Sequence, residues 1–416
     1  MQMIPRVKGT QDFLDKKLFQ YILDEFHEHV SLYHFTQIAT PIIEHVELFK
    51  RTLGVFTDVV SKEMFLIQSA DTKDAMCLRP EATAPTMRAF LDAHPDTPWK
   101  VYSHGPMFRY ERPQKGRYRQ FHQINMEVIG SSSISQDALL ITMLDRFFQE
   151  KLHIESAALQ INFLGSYEDR ARYAQLVKAF VDNVSGICDT CMVRKDKNIL
   201  RIFDCKNPIC QSIYEAAPIM IDHLSPESQK EWDQIQNELS LLSVTFSINP
   251  RLVRGLDYYN KTVFEFVSGQ LGAQNAFCGG GRYDRLANEL GSKQEYPSLG
   301  AAIGIERLML VLEPIIDSLQ LPQPKPLYIV MPLASEQNPL ALLLADTLHA
   351  ASLTVDTFLD GDSVKNMMRR ANKMGAAYAL ILGEQEQQSN SVVVKNMMTG
   401  QQEQILQTQV VPYLRK

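Results

Sequence analysis

The chain has 416 residues, 45% of them apolar and 22% charged, with a formal net charge of −6. That composition suits two or three separately cored domains and argues against a general nucleic-acid coat protein, while leaving room for a local basic RNA surface. No apolar run reaches the roughly 18–20 residues of a membrane span, the start MQMIPRVKGTQDF lacks a signal-peptide core, and the six cysteines read as thiols in a reducing cytoplasm.

Leu18, Tyr21, Ile22, Phe26 and Val30 recur at helical spacing, so a helix is expected from Lys16 to about Val30. A short strand, Phe35–Thr40, ends at Pro41. Phe65–Ile67 and Ala75–Leu78 read as paired strands around a polar turn, Ser69–Asp74, and a helix follows from Pro80 to Ala93. Val101–Ile129 reads as a hairpin with a mobile basic loop, and Leu139–Glu150 as a helix. Beyond about Gly165 the pattern turns helical: Tyr167–Val184, a cysteine-bearing stretch to Cys210, then about Pro226 to Leu242. Strand character returns at Leu252–Val253 and Thr262–Phe266, and a helix from Ile305 to about Leu319 closes the block. Alternating prolines in Leu321-Pro-Gln-Pro-Lys-Pro326 mark a semi-rigid connector. The remainder reads as strand Leu327–Met331, helix Asn338–Ala350, strand Thr354–Phe358, helix Ser363–Met374, strands Ala379–Leu382 and Ser391–Val394, and a final helix. This is a small α/β domain without a phosphate-loop glycine pattern.

The most informative segment is 107–129, MFRYERPQKGRYRQFHQINMEVI, where five cationic side chains fall within eleven residues from Arg109 to Arg119. Arg presents a planar fork that grips phosphate or carboxylate in two places, so a rigid hairpin carrying several forks suits a polyphosphate. Gln123 and Glu127 are four residues apart on the second strand and share one face. Arg79-Pro-Glu-Ala-Thr83 sits at a strand-to-helix turn, where helix capping by Glu81 and Thr83 explains the pattern as well as ligand binding does. In Leu252-Val-Arg-Gly-Leu-Asp-Tyr-Tyr259, Arg254 and Asp257 frame a glycine turn, and the paired tyrosines fit either a core or a small pocket. Gly279-Gly-Gly-Arg-Tyr-Asp284 and Gly300-Ala-Ala-Ile-Gly-Ile-Glu-Arg307 permit close backbone approach, with Arg307 in the first turn of a helix, whose N-terminal end favours phosphate.

Together these stretches resemble the class II aminoacyl-tRNA synthetases. Phe-Arg-x-Glu and its basic loop resemble motif 2, Gly300 to Arg307 resembles motif 3, and Phe35–Pro41 resembles motif 1. Leu-Val-Arg-Gly-Leu-Asp-Tyr-Tyr and Gly-Gly-Arg-Tyr-Asp are similar to the two signatures of histidyl-tRNA synthetases, and the likeness covers nearly the full length. It implies an α+β fold: an antiparallel sheet flanked by helices, with a helical insertion and a C-terminal α/β anticodon-binding domain. The expected divisions are 1–164 and 251–320 for the catalytic domain, 165–250 for the insertion, 321–326 for the linker and 327–416 for the anticodon-binding domain. The implied reaction is that of a histidine–tRNA ligase in a cytoplasmic homodimer. Its partners are histidine, ATP with Mg2+, and tRNA(His), with no organic cofactor and no membrane.

The resemblance also implies roles. Glu81 and Thr83 would bind the histidine amino group. Arg109 would bridge the histidine carboxylate and the α-phosphate, and Glu111 and Arg117 would hold adenine and the outer phosphates. Gln123 and Glu127 would reach the histidine, and Tyr258 and Tyr259 would border its imidazole. Arg254 would act at the α-phosphate and Arg307 would clamp the γ-phosphate. The catalytic work would fall to Arg109, Arg254 and Arg307. Three positions depart from the family pattern: Ala82 where glycine is usual, Leu139 after Asp137-Ala138, and Asp15 where proline is frequent.

Cys188-x-x-Cys191 and Cys205-x₄-Cys210 have a spacing close to a four-sulfur zinc site. The second gap is slightly long and the family requires no metal, so ordinary thiols are expected and no metal is assigned. Lys365, Arg369 and Lys373 form one cationic helix stripe, either a solvated face or a contact for the tRNA backbone. Two other classes compete. A catalytically silent paralogue acting as the histidine-sensing regulatory subunit of ATP phosphoribosyltransferase would lack the C-terminal domain and lose ATP-binding residues. A pure RNA-binding module would leave Glu127 and the tyrosine pair without purpose.

Overall fold

A computed structural model describes residues 3–54, 57–68, 75–205, 207–272 and 275–415; the turn expected at Ser69–Asp74 lies outside them. The chain divides into two units, Met1–Leu321 and Pro322–Lys416. Among the described residues, no helix is long and apolar enough to cross a membrane.

The larger unit is built on an eight-stranded sheet. In spatial order its strands are Thr36–Gln37, Trp99–Phe108, Gln120–Ile129, Ser298–Gly304, Ala276–Arg282, Asn260–Val267, Ala158–Phe163 and Phe246–Ile248. The six inner strands pair antiparallel. The two edge strands lie parallel to their neighbours. Side-chain alternation separates two faces. On Gln120–Ile129, Ile124, Met126 and Val128 enter the main core, joined by Leu299, Ala301 and Ile303 of the adjacent strand. That face is covered by helices Lys17–Ser31, Ser135–Arg146 and Ile305–Leu312. Ring pairs knit the cover to the sheet: Phe26 lies 5.1 Å from Phe147, and Phe148 lies 4.9 Å from both Phe266 and Phe277. The opposite face, carrying Gln123 and Glu127, is left for the site.

Several expected elements shift for identifiable reasons. The strand expected at Phe35–Thr40 shrinks to Thr36–Gln37, because Arg79 takes the Thr40 carbonyl and hydroxyl, each at 3.0 Å. The helix expected from Pro80 begins at Thr83, since Glu81 accepts from the Thr83 and Ala84 amides at 2.7 and 3.0 Å and caps it. Leu252–Val253 is not a strand: the Leu252 carbonyl accepts from the Asn162 side chain at 2.9 Å instead of a neighbouring backbone. The helix expected over Leu139–Glu150 runs Ser135–Arg146 and widens into a π turn, Phe147–Lys151. The helix from Ile305 ends at Leu312 and tightens to a 3₁₀ turn, Glu313–Ser318, at Pro314, which has no N–H to continue the α ladder.

Arg282, 1% exposed, anchors the sheet from within. It bonds Asp137 through Nε at 3.1 Å and the carbonyls of Ser131 and Ser133 at 2.7 and 2.9 Å. Asp137→Ala would leave this cation buried without its main counter-charge. Removing one partner of such a pair costs about 3–5 kcal/mol, which chemical denaturation of the variant will register.

Between the strands Ala158–Phe163 and Phe246–Ile248 the chain makes a set of helices. Tyr167–Asp182 starts at a capping box formed by Ser166 and Asp169. It packs with Asp189–Lys197 and Pro208–Tyr214 around Tyr173, Val177, Cys191, Cys210 and Tyr214. The last helix, Pro226–Leu241, instead sends Trp232, Ile235 and Leu239 into the core of the main sheet. The four cysteine sulfurs of 188, 191, 205 and 210 all lie within 4.8 Å of one another. The 3₁₀ turn Ile199–Asp204 and the helix start at Pro208 fold the Cys205–Cys210 gap back on itself.

The smaller unit has a five-stranded sheet in the order Thr354–Thr357, Leu327–Pro332, Tyr378–Leu382, Ser391–Asn396 and Gln402–Leu406. The first three strands are parallel and the last two antiparallel. One face packs against Asn338–Ala350 and the other against Val364–Lys373. Lys365, Arg369 and Lys373 all project to solvent, while Met367 and Ala371 of the same helix are buried.

Candidate active site

The uncovered sheet face opens into a cleft of about 320 Å³, with Arg109, Glu111, Arg117, Gln123, Arg254 and Arg307 among its walls. The hairpin Trp99–Phe108 and Gln120–Ile129 carries the first four on its strand end and connecting loop. Arg109 is tethered by Nε to the Pro80 carbonyl at 2.9 Å. Glu111 pairs with Arg117. Arg307, at the start of its helix, donates to the Gly116 and Ala276 carbonyls at 2.9 and 2.8 Å, which lays the basic loop against the cleft.

The cleft lining carries five guanidiniums and five carboxylates, and three of the guanidiniums, Arg109, Arg117 and Arg307, crowd one another. Burial, then repulsion from Arg117 and Arg109, pushes the Arg307 guanidinium down to about 10. Burial also lowers Arg109 and Arg117. Burial opposes the charge of Arg254 too, but Glu265, which it contacts, raises its pKa overall. Several guanidiniums held close in a low-dielectric cleft are stabilised by an anion with several negative oxygens. On the cleft wall, Gln123 Oε1 and Arg254 Nε are among the buried polar atoms with no hydrogen-bond partner among the described residues. Because both lie on the cleft wall, a ligand there could satisfy them.

Next to the cleft lies a second, smaller constellation. The Glu127 carboxylate accepts from Thr83 Oγ1 at 2.7 Å and from the Tyr283 hydroxyl. Burial drives its pKa from 4.5 up to about 8, with those two hydrogen bonds opposing the shift and Glu81 adding to it. Burial likewise raises Tyr258 and Tyr259, which keeps their hydroxyls protonated. The Tyr258 ring sits 4.6 Å from Tyr259 and 5.5 Å from Tyr283. The glycines serve this packing directly. A Cβ on Gly300 would fall 1.7 Å from Glu127 Oε2, and one on Gly279 would fall 2.4 Å from Arg254 Nη1. Each glycine therefore makes room for a functional side chain lying over the sheet. Ala82 adopts φ −115°, ψ −10°, so the alanine found in place of the usual glycine is unstrained.

The sequence-derived residues thus separate into two adjoining groups in the larger unit and a third in the smaller unit. Arg109, Glu111, Arg117, Gln123, Arg254 and Arg307 line the cleft. Glu127 and Thr83 are bonded to each other and Glu81 caps the same helix, with the tyrosine pair packed in the neighbouring apolar cluster. Lys365, Arg369 and Lys373 belong to the other unit. Sequence reasoning passed over Tyr283 and Glu265. Tyr283 stands inside the Gly-Gly-Arg-Tyr-Asp stretch, and its neighbours signalled a turn. Glu265 lies on a strand whose even-numbered Phe264 and Phe266 enter the core, so alternation alone would have turned it toward the cleft. Glu306, also missed, accepts from the His122 amide at 2.9 Å and from His122 Nδ1 at 2.8 Å, tying the start of the helix to the hairpin.

Comparison with known proteins agrees with this geometry. The family described as histidyl-tRNA synthetase matches residues 15–308, and an anticodon-binding domain family matches residues 328–416. The histidine–tRNA ligase of Nitratidesulfovibrio vulgaris is 41% identical over 413 residues, covering 97% of each chain. That of Clostridioides difficile is 36% identical over 415 residues, covering 98% of each. The crystal structure of apo S. aureus histidyl-tRNA synthetase superposes with a TM-score of 0.80 at 30% identity, covering 100% of both chains. A protein from Bacillus halodurans titled ATP phosphoribosyltransferase regulatory subunit/histidyl-tRNA synthetase shares the fold at a TM-score of 0.63 and 18% identity. Similarity that runs through both units, together with an arginine-lined cleft beside a buried Glu–Thr–Tyr cluster, places the chain in the histidyl-tRNA synthetase family.

Proposed function

We propose that the protein activates histidine with ATP to histidyl-adenylate, releasing pyrophosphate. It then transfers the histidyl group to the 3′ end of tRNA(His), releasing AMP. The observation that carries this reading is the juxtaposition on one sheet face of a crowded guanidinium cleft with the Glu127 cluster. The first group suits a triphosphate and the second a small polar side chain.

The histidine carboxylate is already a nucleophile, so no general base is needed. The chemistry lies in bringing two anions together and stabilising charge on phosphorus. Arg109 bridges the carboxylate and the α-phosphate, Arg254 stabilises charge at the α-phosphate, and Arg307 holds the γ-phosphate. Arg117 exchanges its partner Glu111 for an outer phosphate, which frees Glu111 for adenine. Gln123 offers its unpaired oxygen to the substrate, and Glu81 and Thr83 receive the amino group. Glu127 and a tyrosine hydroxyl satisfy the two imidazole nitrogens. A substrate lacking those nitrogens leaves buried polar groups unpaired, which discriminates by about 10⁴-fold. Glu63 on the cleft wall is an oxygen donor of the kind that would hold the Mg2+ accompanying ATP, which would neutralise phosphate charge. A cytoplasmic homodimer is the expected working form.

Charging of tRNA(His) with labelled histidine tests the whole reaction; histidine binding without charging would favour a regulatory role instead. In the smaller unit, the exposed Lys365–Arg369–Lys373 stripe is proposed to contact the tRNA backbone. Replacing all three with glutamine is expected to raise the KM for tRNA about tenfold and flatten its salt dependence, with ATP–pyrophosphate exchange unchanged. Unaltered tRNA kinetics would leave the stripe a solvated face.

A further inference from the structure

The cysteine cluster in the insertion is not used by the reaction above. We propose that Cys188, Cys191, Cys205 and Cys210 form a closed four-thiolate zinc site that holds the insertion's inner loop against the active-site turn.

The geometry is that of a ligand shell. Cys188 immediately precedes the helix Asp189–Lys197 and Cys191 lies in its first turn. Cys205 follows the 3₁₀ turn Ile199–Asp204, and Cys210 lies in the helix Pro208–Tyr214. All four sulfurs lie within 4.8 Å of one another, and Cys188 Sγ is 3.7 Å from Cys205 Sγ. A tetrahedron with Zn–S bonds of about 2.3 Å has edges of about 3.8 Å. A disulfide would need sulfurs about 2.05 Å apart. The cage has no room for a multi-iron cluster, and four soft sulfur ligands exclude magnesium or calcium as the occupant. With every tetrahedral position filled by protein, the site is structural and has no place for substrate.

The surroundings support the same reading. Cys191 and Cys210 are fully buried and Cys205 is 5% exposed, leaving only Cys188 partly open. The backbone N–H of Cys188 donates to Cys210 Sγ at 3.2 Å, the type of contact that orients and stabilises a metal-bound thiolate. The insertion's own apolar cluster is small, so a metal staple adds what a core of that size does not supply.

The staple would also reach the chemistry. Cys191 and Cys205 bracket Asn198 and Arg201. Asn198 Nδ2 donates to Asp257 Oδ1 at 2.7 Å, and Arg201 Nη2 to the Gly255 carbonyl at 3.3 Å. Arg194 Nη1 holds the Arg201 carbonyl at 2.9 Å. These contacts grip the Arg254-Gly-Leu-Asp257 turn from outside, and Arg201 itself lines the cleft. A small misplacement of Arg254 would be costly for a reaction that depends on positioning.

The test begins with elemental analysis of the full-length protein purified without chelator; one zinc per chain is expected. Cobalt reconstitution should give the sulfur-to-cobalt charge-transfer and intense visible bands of a tetrahedral thiolate site. Cys191→Ser and Cys210→Ser should lose the metal, become protease-sensitive between residues 185 and 207, and show kcat/KM for exchange lower on the order of tenfold. Cys77→Ser, altering a buried thiol outside the cluster, should keep the metal. Absence of metal from the unaltered protein, with Cys188, Cys191, Cys205 and Cys210 all alkylatable or joined in two disulfides by mass spectrometry, overturns the proposal, and does so whether or not the serine variants fold. The metal analysis is independent of the aminoacylation reading, which stands or falls on charging.

Discussion

Arg254→Ala is expected to lower the rate of histidyl-adenylate formation by about 10³-fold, with the KM values for ATP and histidine changed far less. The reason lies in where Arg254 sits. It projects from a turn onto the sheet through the gap that Gly279 leaves, and Glu265 fixes it there. Its Nε is buried without a hydrogen-bond partner among the described residues, so one donor is available to a ligand in the cleft. A donor fixed before the reaction stabilises developing charge with little reorganisation, and so acts mainly on kcat. Arg254→Lys keeps the charge but loses the planar fork, and should recover only a small part of the rate. Single-turnover measurement of adenylate formation separates this effect from binding. A variant whose loss appeared wholly in the KM for ATP would make Arg254 a binding residue only.

Glu127→Ala is expected to raise the KM for histidine on the order of 100-fold while leaving the KM for ATP within a few-fold, because it removes a buried charged acceptor and strands the hydroxyls of Thr83 and Tyr283. Equal effects on both substrates would contradict its assignment to histidine. The same carboxyl should give histidine binding a distinctive pH dependence. In the empty site its pKa is raised to about 8, so it holds a proton at neutral pH. An N–H or ammonium of bound histidine favours the ionised form, so binding releases a proton and the KM for histidine should fall as pH rises toward about 8. The stability consequence has the opposite sense. A folded pKa above the ordinary 4.5 means that the folded state binds the extra proton, so the group costs stability as pH rises between those two values. Glu127→Gln should therefore raise the Tm of the free protein at neutral and alkaline pH, flatten its pH dependence, and still impair histidine binding. Gain of stability with loss of affinity is the pattern expected of a residue strained for function.

Much of this was legible in the sequence wherever a local pattern coincides with a tertiary role. The alternation from Phe121 to Ile129 identified both the strand and the face on which Gln123 and Glu127 lie, because one side of that strand must be apolar to meet the core. The smaller unit was similarly transparent up to Asn396, its strands and helices alternating with clear changes of period, but the last strand, Gln402–Leu406, was missed because its mostly polar, largely exposed residues carry no apolar alternation. The edge strand Phe246–Ile248 was not legible either, since its three residues are too few for any periodicity to register. Leu252–Val253 misled for the converse reason: two apolar residues suggested a strand, whereas a side chain 90 positions away, Asn162, takes the Leu252 carbonyl. Gly300 was legible as a close approach but not as an approach by Glu127, since only the register between their strands sets them opposite each other. That the four cysteines come together was not legible from their spacing, because the chain's return between Cys205 and Cys210 depends on a helix start at Pro208 that the spacing alone does not encode.

The central claim is that the cleft joins histidine to ATP, and histidine-dependent ATP–pyrophosphate exchange by the purified protein tests it most directly. The account predicts exchange with histidine and none with the other amino acids, since only imidazole satisfies the buried groups around Glu127. Histidine binding without exchange would contradict it and would identify the protein as a sensor of histidine.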